Sequence, residues 1–340
     1  MKFEELRKLL QFDDNTGFES PLYMPNEIFN DLHKNISKSP HIAFCYSYIY
    51  LVTWLYRYAI YGRVTDTLKK EHLKQILCYG AKTQEVDYLI KKNGVLEKMN
   101  YLETTGDFPT EYYYYNEYNY EKDIDGRQLK FETLSDWKMY CEENKDEYSY
   151  EYVQKGKNYK IKYPVKAFTR YPNDEEMNKE YEEGYEDGTF FDIDNTHCIP
   201  FEVFMYCMSN KDIGCTGFYL YAYLKHQNDL HDSGYDVSLE NLASETRIPN
   251  STLNRYISLL KSYRMIDFHH NQEAFCIAYS SEQRRANTYI VNDYLLFSDK
   301  PISYERIKVV TKSEYLKQVE EKDVQIWGDK AEVGIAELPF

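Results

Sequence analysis

From Ser251 to Arg264 the chain carries Arg255, Lys261 and Arg264 and no acid, and with Asn250 it sets out Ser251, Thr252, Asn254 and Ser258 along the same stretch. Arg and Asn side chains match the hydrogen-bonding edges of guanine and adenine, and Lys or Arg neutralises phosphate. The chemistry of these residue types is recognition, and the plain alternative is a solvated helix face. A second positive stretch, Lys69 to Lys98, contains Lys74, Lys82 and Lys91 beside Thr83 and Gln84, but also Glu85 and Asp87, which oppose a phosphate contact. His269 and His270, with Arg284 and Arg285 further on, are the remaining candidates for contacts to nucleic acid.

Bond-making chemistry has little support. The chain has no G-x-x-x-x-G-K-[ST] loop, no G-x-G-x-x-G, no H-E-x-x-H and no G-x-S-x-G. A Tyr nucleophile beside a His-x-His metal pair has no support, because no His-x-His occurs among the eight histidines. Asp192, Asp194, His197 and Cys198 offer ligand types, but paired acids of this kind are more often the approach to a helix or strand. Neither enzymatic activity nor a cofactor or metal is expected.

The elements that must position the recognition residues repeat. Met24-Pro25-Asn26-Glu27-Ile28-Phe29 corresponds to Ile199-Pro200-Phe201-Glu202-Val203-Phe204, and Ala43 to Tyr48 corresponds to Gly217 to Ala222. Glu71-His72-Leu73 then matches Glu240-Asn241-Leu242, and Val86, Leu89, Ile90 and Leu96 match Tyr256, Leu259, Leu260 and Ile266. Four collinear blocks with a slowly drifting offset point to an internal duplication. In the second copy Leu239, Leu242 and Ala243 stripe a short helix, Arg247-Ile248-Pro249-Asn250 breaks it, and Asn250 or Ser251 can cap a second helix bearing Leu253, Tyr256, Ile257, Leu259 and Leu260. Ile266 to Ala278 reads as a β-hairpin, and Asn287 to Asn292 as a strand closing the unit.

This order of helix, turn, helix and hairpin resembles winged helix-turn-helix DNA-binding domains, most closely in Ile248-Pro249-Asn250-Ser251-Thr252-Leu253-Asn254-Arg255-Tyr256-Ile257-Ser258-Leu259-Leu260. The resemblance implies that this string is the turn and recognition helix, with the hairpin as a wing. The family usually has a left-handed Gly where that helix ends; here Arg264 stands there, at a cost of about 1 kcal/mol, while the first copy keeps Gly94. Tandem units of this size look like replication initiators of plasmids and related mobile elements. A transcriptional repressor or regulator shares the architecture, and a protein-interaction scaffold is the competing class.

The expected fold is therefore α+β, with an N-terminal helix in 1–19, one winged helix in 20–118, an acidic, partly ordered insertion in 119–195, a second winged helix in 196–298, and a C-terminal tail with a short helix in 299–340. Residues 101 to 200 hold 24 acids against 12 bases, which is most of the net charge of −15, so acidity is concentrated between the two units. Within it the Tyr-rich run from Tyr112 to Tyr120 reads as an extended strand, and Lys155 to Arg170 as a basic strand. The uncharged run from Ile42 to Tyr56 is 15 residues, short of the roughly 20 that span a bilayer, and reads as a buried helix. Seven scattered cysteines without a Cys-x-x-Cys pair and a charged N-terminus fit a reduced, cytoplasmic protein. The expected partners are double-stranded DNA, a second copy of the chain, and replication or transcription proteins; a membrane is not expected.

Overall fold

The computed structural model describes residues 1–12, 21–63, 68–119, 124–143, 159–171, 187–231, 233–272, 274–276, 278–279, 285–304 and 307–317. It is a mixed α+β chain with small sheets. The first half opens with α1 (Phe3–Leu9), β1 (Pro21–Pro25), α2 (Ile28–Asn35) and α3 (Ser39–Arg57). In α3 every residue except Pro40 is buried, which answers to the uncharged run. Among the described residues no helix is long and apolar enough to cross a membrane.

After α3 come α4 (Ile60–Arg63), α5 (Lys70–Ile76), α6 (Asp87–Ile90) and α7 (Val95–Lys98), then β2 (Leu102–Thr105), β3 (Pro109–Asn119), β4 (Ile124–Thr133), α8 (Leu134–Glu143), β5 (Ile161–Pro164) and α9 (Val165–Phe168). The Tyr-rich run from Tyr112 to Asn119 lies in the strand β3, paired antiparallel with β4, Tyr120 lying outside the described residues, and Tyr112 packs edge-on against Tyr58 at 5.5 Å. The stretch expected as an insertion does more than connect. β5 pairs antiparallel with β2, so residues beyond 119 complete the first half, anchored by buried Ile161 and by Tyr163 stacked on Phe168 at 4.8 Å.

The second half runs β6 (Thr196–Pro200), α10 (Phe201–Ser209), α11 (Gly214–Leu230), β7 (Tyr235–Val237), α12 (Leu239–Thr246), α13 (Asn250–Ser262), β8 (Ile266–His270), β9 (Ala274–Phe275), β10 (Asn287–Val291) and β11 (Lys308–Val309), with residues 312–317 helical. Its three-stranded antiparallel sheet has the order β7-β10-β8. The hairpin expected within Ile266 to Ala278 is corrected here. β8 pairs with β10, because Tyr289 of β10 is buried in the core, and β9 pairs instead with β11.

The halves share one apolar core. β1 and β6 pair antiparallel, Leu22 opposite Ile199, and α3 packs along α11. Phe29 of α2 meets Tyr46, His197, Tyr219 and His226, with ring centroids 5.0–5.9 Å apart. Burying each ring of this kind contributes about 1.5–3 kcal/mol. The first three repeated blocks fall on equivalent elements: the turn from β1 into α2 or β6 into α10, then α3 and α11, then α5 and α12. The fourth does not. Where the second half has the 13-residue α13, the first has the four-residue α6. The chain into and through it is built from tight turns with hydrogen bonds three residues apart, Thr83 N–H to Gly80 O, Asp87 N–H to Gln84 O and Leu89 N–H to Val86 O.

Candidate nucleic-acid interface

The turn between α12 and α13 is held by side chains. Ser238 accepts the Asn241 N–H at the start of α12, and the buried Thr246 hydroxyl donates to Leu242 O at 2.7 Å and accepts from Ile248 N–H at 3.4 Å. Arg247 takes φ 55, the left-handed conformation that lets the chain reverse, and Pro249 caps α13 with a fixed φ of −55. Neither Asn250 nor Ser251 is the cap that the sequence suggested; both lie inside the first turn.

Leu253, Ile257 and Leu260 bury one side of α13. On the other, Asn250, Ser251, Asn254 and Arg255 are exposed, with Thr252 and Ser258 half-buried. Positions i, i+1, i+4, i+5 and i+8 share a helix face, here extending about 12 Å along the axis. Among the described residues the side chains of Asn250, Ser251, Thr252 and Asn254 make no hydrogen bond, so their polar groups stay available; Ser258 instead donates to Asn254 O at 2.8 Å. Arg255 lies over its neighbour Tyr256 at 4.7 Å, which holds the guanidinium on this face. Exposed Arg247 and Arg264 stand at the two ends of α13. Arg264 has φ 53, the left-handed turn anticipated without glycine.

Lys261 is corrected. Its ammonium lies over the Phe268 ring and 5.6 Å from that of Tyr304, and burial pushes its pKa down to about 7. The tail causes this: Ile302 N–H donates to Ser262 O and Ser298 N–H to Tyr263 O, drawing residues 298–304 across the end of α13. His269 is exposed on β8, whereas His270 is half-buried, with Nδ1 2.9 Å from Asn287 Oδ1 and its ring edge-on to Phe268. Arg285 is exposed, its N–H bonded to Gln272, and Arg284 lies outside the described residues.

In the first half the candidates separate. Lys74 is corrected: its side chain is 2% exposed, its Nζ donates to Thr83 O at 2.6 Å, and it pairs with Asp87. Burial would raise the Asp87 pKa, but the Lys74 hydrogen bond and charge hold it below the ordinary value. Lys82 and Gln84 are exposed and Thr83 half-buried on the turn before α6, and Lys91 is exposed just beyond that helix. No extended helix presents them together. Gly94 is corrected too, since it has φ −76, and the left-handed residue is Asn93 at φ 57.

Of the basic stretch, Lys155 and Lys157 lie outside the described residues, Lys160 is exposed, and two cations are committed internally. Lys162 pairs with Glu97 at 2.6 Å, and Arg170, 2% exposed, pairs with Glu27 at 2.9 Å and donates to Asn195 O at 3.2 Å. His197 bonds Tyr46 at 2.7 Å and Asn26 at 2.9 Å in the core. Asp192 accepts from the Asp194 N–H, and among the described residues no cluster of three or more His, Cys, Asp or Glu could hold a metal. Sequence reasoning did not name Arg247 as a candidate; its position in the break before Pro249 was the available signal. Compared with protein-family models, curated proteins and solved structures, the chain matches none.

Proposed function

We propose that the chain consists of two tandem winged-helix units derived by duplication, and that it binds double-stranded DNA sequence-specifically through α13. The observation that carries this reading is the exposed α13 face, Asn250, Ser251, Asn254 and Arg255, flanked by Arg247 and Arg264, with no acid from Thr246 to Ile266. Its length of about 12 Å along the axis suits the major groove, where such a helix reads base edges. The sheet order β7-β10-β8 behind the α12–α13 pair supports the same reading, with the connection between β8 and β10 in the place of a wing. The second unit does the reading, because α6 is one turn long and Lys74 is buried.

The role we favour is replication initiation on a plasmid or mobile element, on the strength of the tandem architecture and the Lys-, Asn-, Tyr- and Ile-rich composition. Fragments selected from the source genome and its mobile elements would supply the site, and fluorescence anisotropy at two salt concentrations the affinity. A directly repeated site is expected; a single operator beside a promoter would replace initiation with repression. Arg255→Ala is expected to cost about 1–3 kcal/mol on the selected site, and Arg247→Ala to weaken all sequences alike and lower the salt slope by about 1. No enrichment and no salt-dependent binding would overturn DNA recognition.

A further inference from the structure

A cleft of about 640 Å³ opens in the first half between α5, the chain following α6, and the β2–β5 ladder. Its lining carries six lysines, Lys69, Lys70, Lys91, Lys92, Lys160 and Lys162, against a single carboxylate, Glu71. Two of the six are accounted for: Lys162 by Glu97 and Thr104, and Lys70 by Asp87 at 3.4 Å and Glu71 at 3.9 Å. Among the described residues, Lys69, Lys91, Lys92 and Lys160 have no carboxylate within 4.0 Å. All four are exposed, and they gather around one cleft in a chain whose net charge is −15.

The floor has a different character. Tyr48 and Tyr61 are buried there beside Leu68, Leu73 and Ile90, while Tyr159 is half-buried in the wall. A polyanion alone would use the rim and leave this apolar floor wet. A ligand with several negative charges at one end and a flat apolar body at the other uses both, and the volume lies within the range of about 300–1,000 Å³ typical of small-molecule sites.

We propose that this cleft binds a nucleoside di- or triphosphate, with the phosphates against Lys69, Lys91, Lys92 and Lys160 and the base over the Tyr48 and Tyr61 floor. The site is independent of α13 and makes the protein responsive to a small nucleotide.

The test is isothermal titration of the full chain with ATP and GTP, beside tripolyphosphate and adenosine as the two halves of the ligand. Saturable nucleotide binding is expected, with each half at least about tenfold weaker. Lys91→Glu with Lys92→Glu, both exposed, is expected to reduce nucleotide affinity by at least about tenfold at an unchanged melting temperature, and Lys160→Ala to reduce it in the same direction. Arg255→Ala should bind nucleotide as the parent does, so failure here and failure of DNA recognition read out separately. Absence of saturable binding would overturn the proposal. So would tripolyphosphate binding as tightly as ATP while duplex DNA displaces both, a result that would assign these lysines to a DNA backbone path.

Discussion

Lys261 separates two accounts of α13 most sharply. By residue type it is a phosphate contact, yet the tail from Ser298 to Tyr304 has drawn it from solvent, and its pKa falls to about 7. One pKa step is worth about 1.4 kcal/mol, so the fall from 10.5 to about 7 corresponds to about 5 kcal/mol for a fully withdrawn amine. Lys261 is only half-buried and the Phe268 ring attracts its charge, so we retain about 2 kcal/mol as the cost it imposes on the fold at pH 7. Lys261→Met keeps the length of the side chain and removes that cost. The expected result is a stabilised protein, by about 2 kcal/mol in urea unfolding and a few degrees in Tm. The pH dependence has a fixed sign. Between about 7 and 10.5 the unfolded chain holds a proton that the folded chain has released, so wild-type stability from this group rises with pH and the advantage of the variant narrows. DNA affinity and its salt slope should not change. A variant that is less stable than wild type, or one that loses DNA affinity with a salt slope lower by about 1, would refute the reasoning and put the ammonium on phosphate with the tail displaced.

Two further outcomes follow from buried polar groups at the junction of the halves. Burial, then the charge of Arg247, lowers the His33 pKa to about 4, and burial likewise lowers those of His197 and His226. The unfolded chain therefore takes up more protons below pH 6.5, so stability is complete above that value and is lost as pH falls towards 4. For partly exposed His33 this is about 1–2 kcal/mol, and a melting temperature that stays flat from pH 7 to 4.5 would contradict it. Arg170→Met leaves Glu27 and the carbonyls of Asp194 and Asn195 without their shared donor, at an expected cost of about 3 kcal/mol in urea unfolding. Adding Glu27→Gln should recover part of that loss, and a cost below about 1 kcal/mol would mean that the pair is not structural.

What the sequence made legible was local. The uncharged run from Ile42 to Tyr56, the break at Arg247-Ile248-Pro249, and the apolar spacing from Leu253 to Leu260 each specify an element within a few residues, and each element is found in the structure, although Tyr256 and Leu259 are only half-buried. The errors came from partners distant along the chain. Lys74 reads as a surface cation until Asp87 and the Thr83 carbonyl are brought to it, and Lys261 does so until Tyr304 is. Ala274-Phe275 reads as the partner of β8 by proximity, but Tyr289 brings a more buried strand to the same edge. Alternation shows that a strand exists, and its pairing is decided by which strand buries more.

In the first half the short α6 and the cleft are one feature. In the second half α13 continues for more than three turns and its end is covered by the tail. At the equivalent place the Lys74–Asp87 pair pins the turn after α5, and the chain leaves α6 at Lys91 in an extended conformation, φ −63 and ψ 164. Asn93 then turns left-handed and α7 starts again from Gly94. The turns that α13 has and α6 lacks are replaced by space, lined by Lys91 and Lys92, by Lys160 just before β5 and by Lys162 within it. On the proposed readings, a helix continued through Lys91–Asn93 would take the place of these turns, so the first half offers either the proposed nucleotide cleft or a long groove-facing helix.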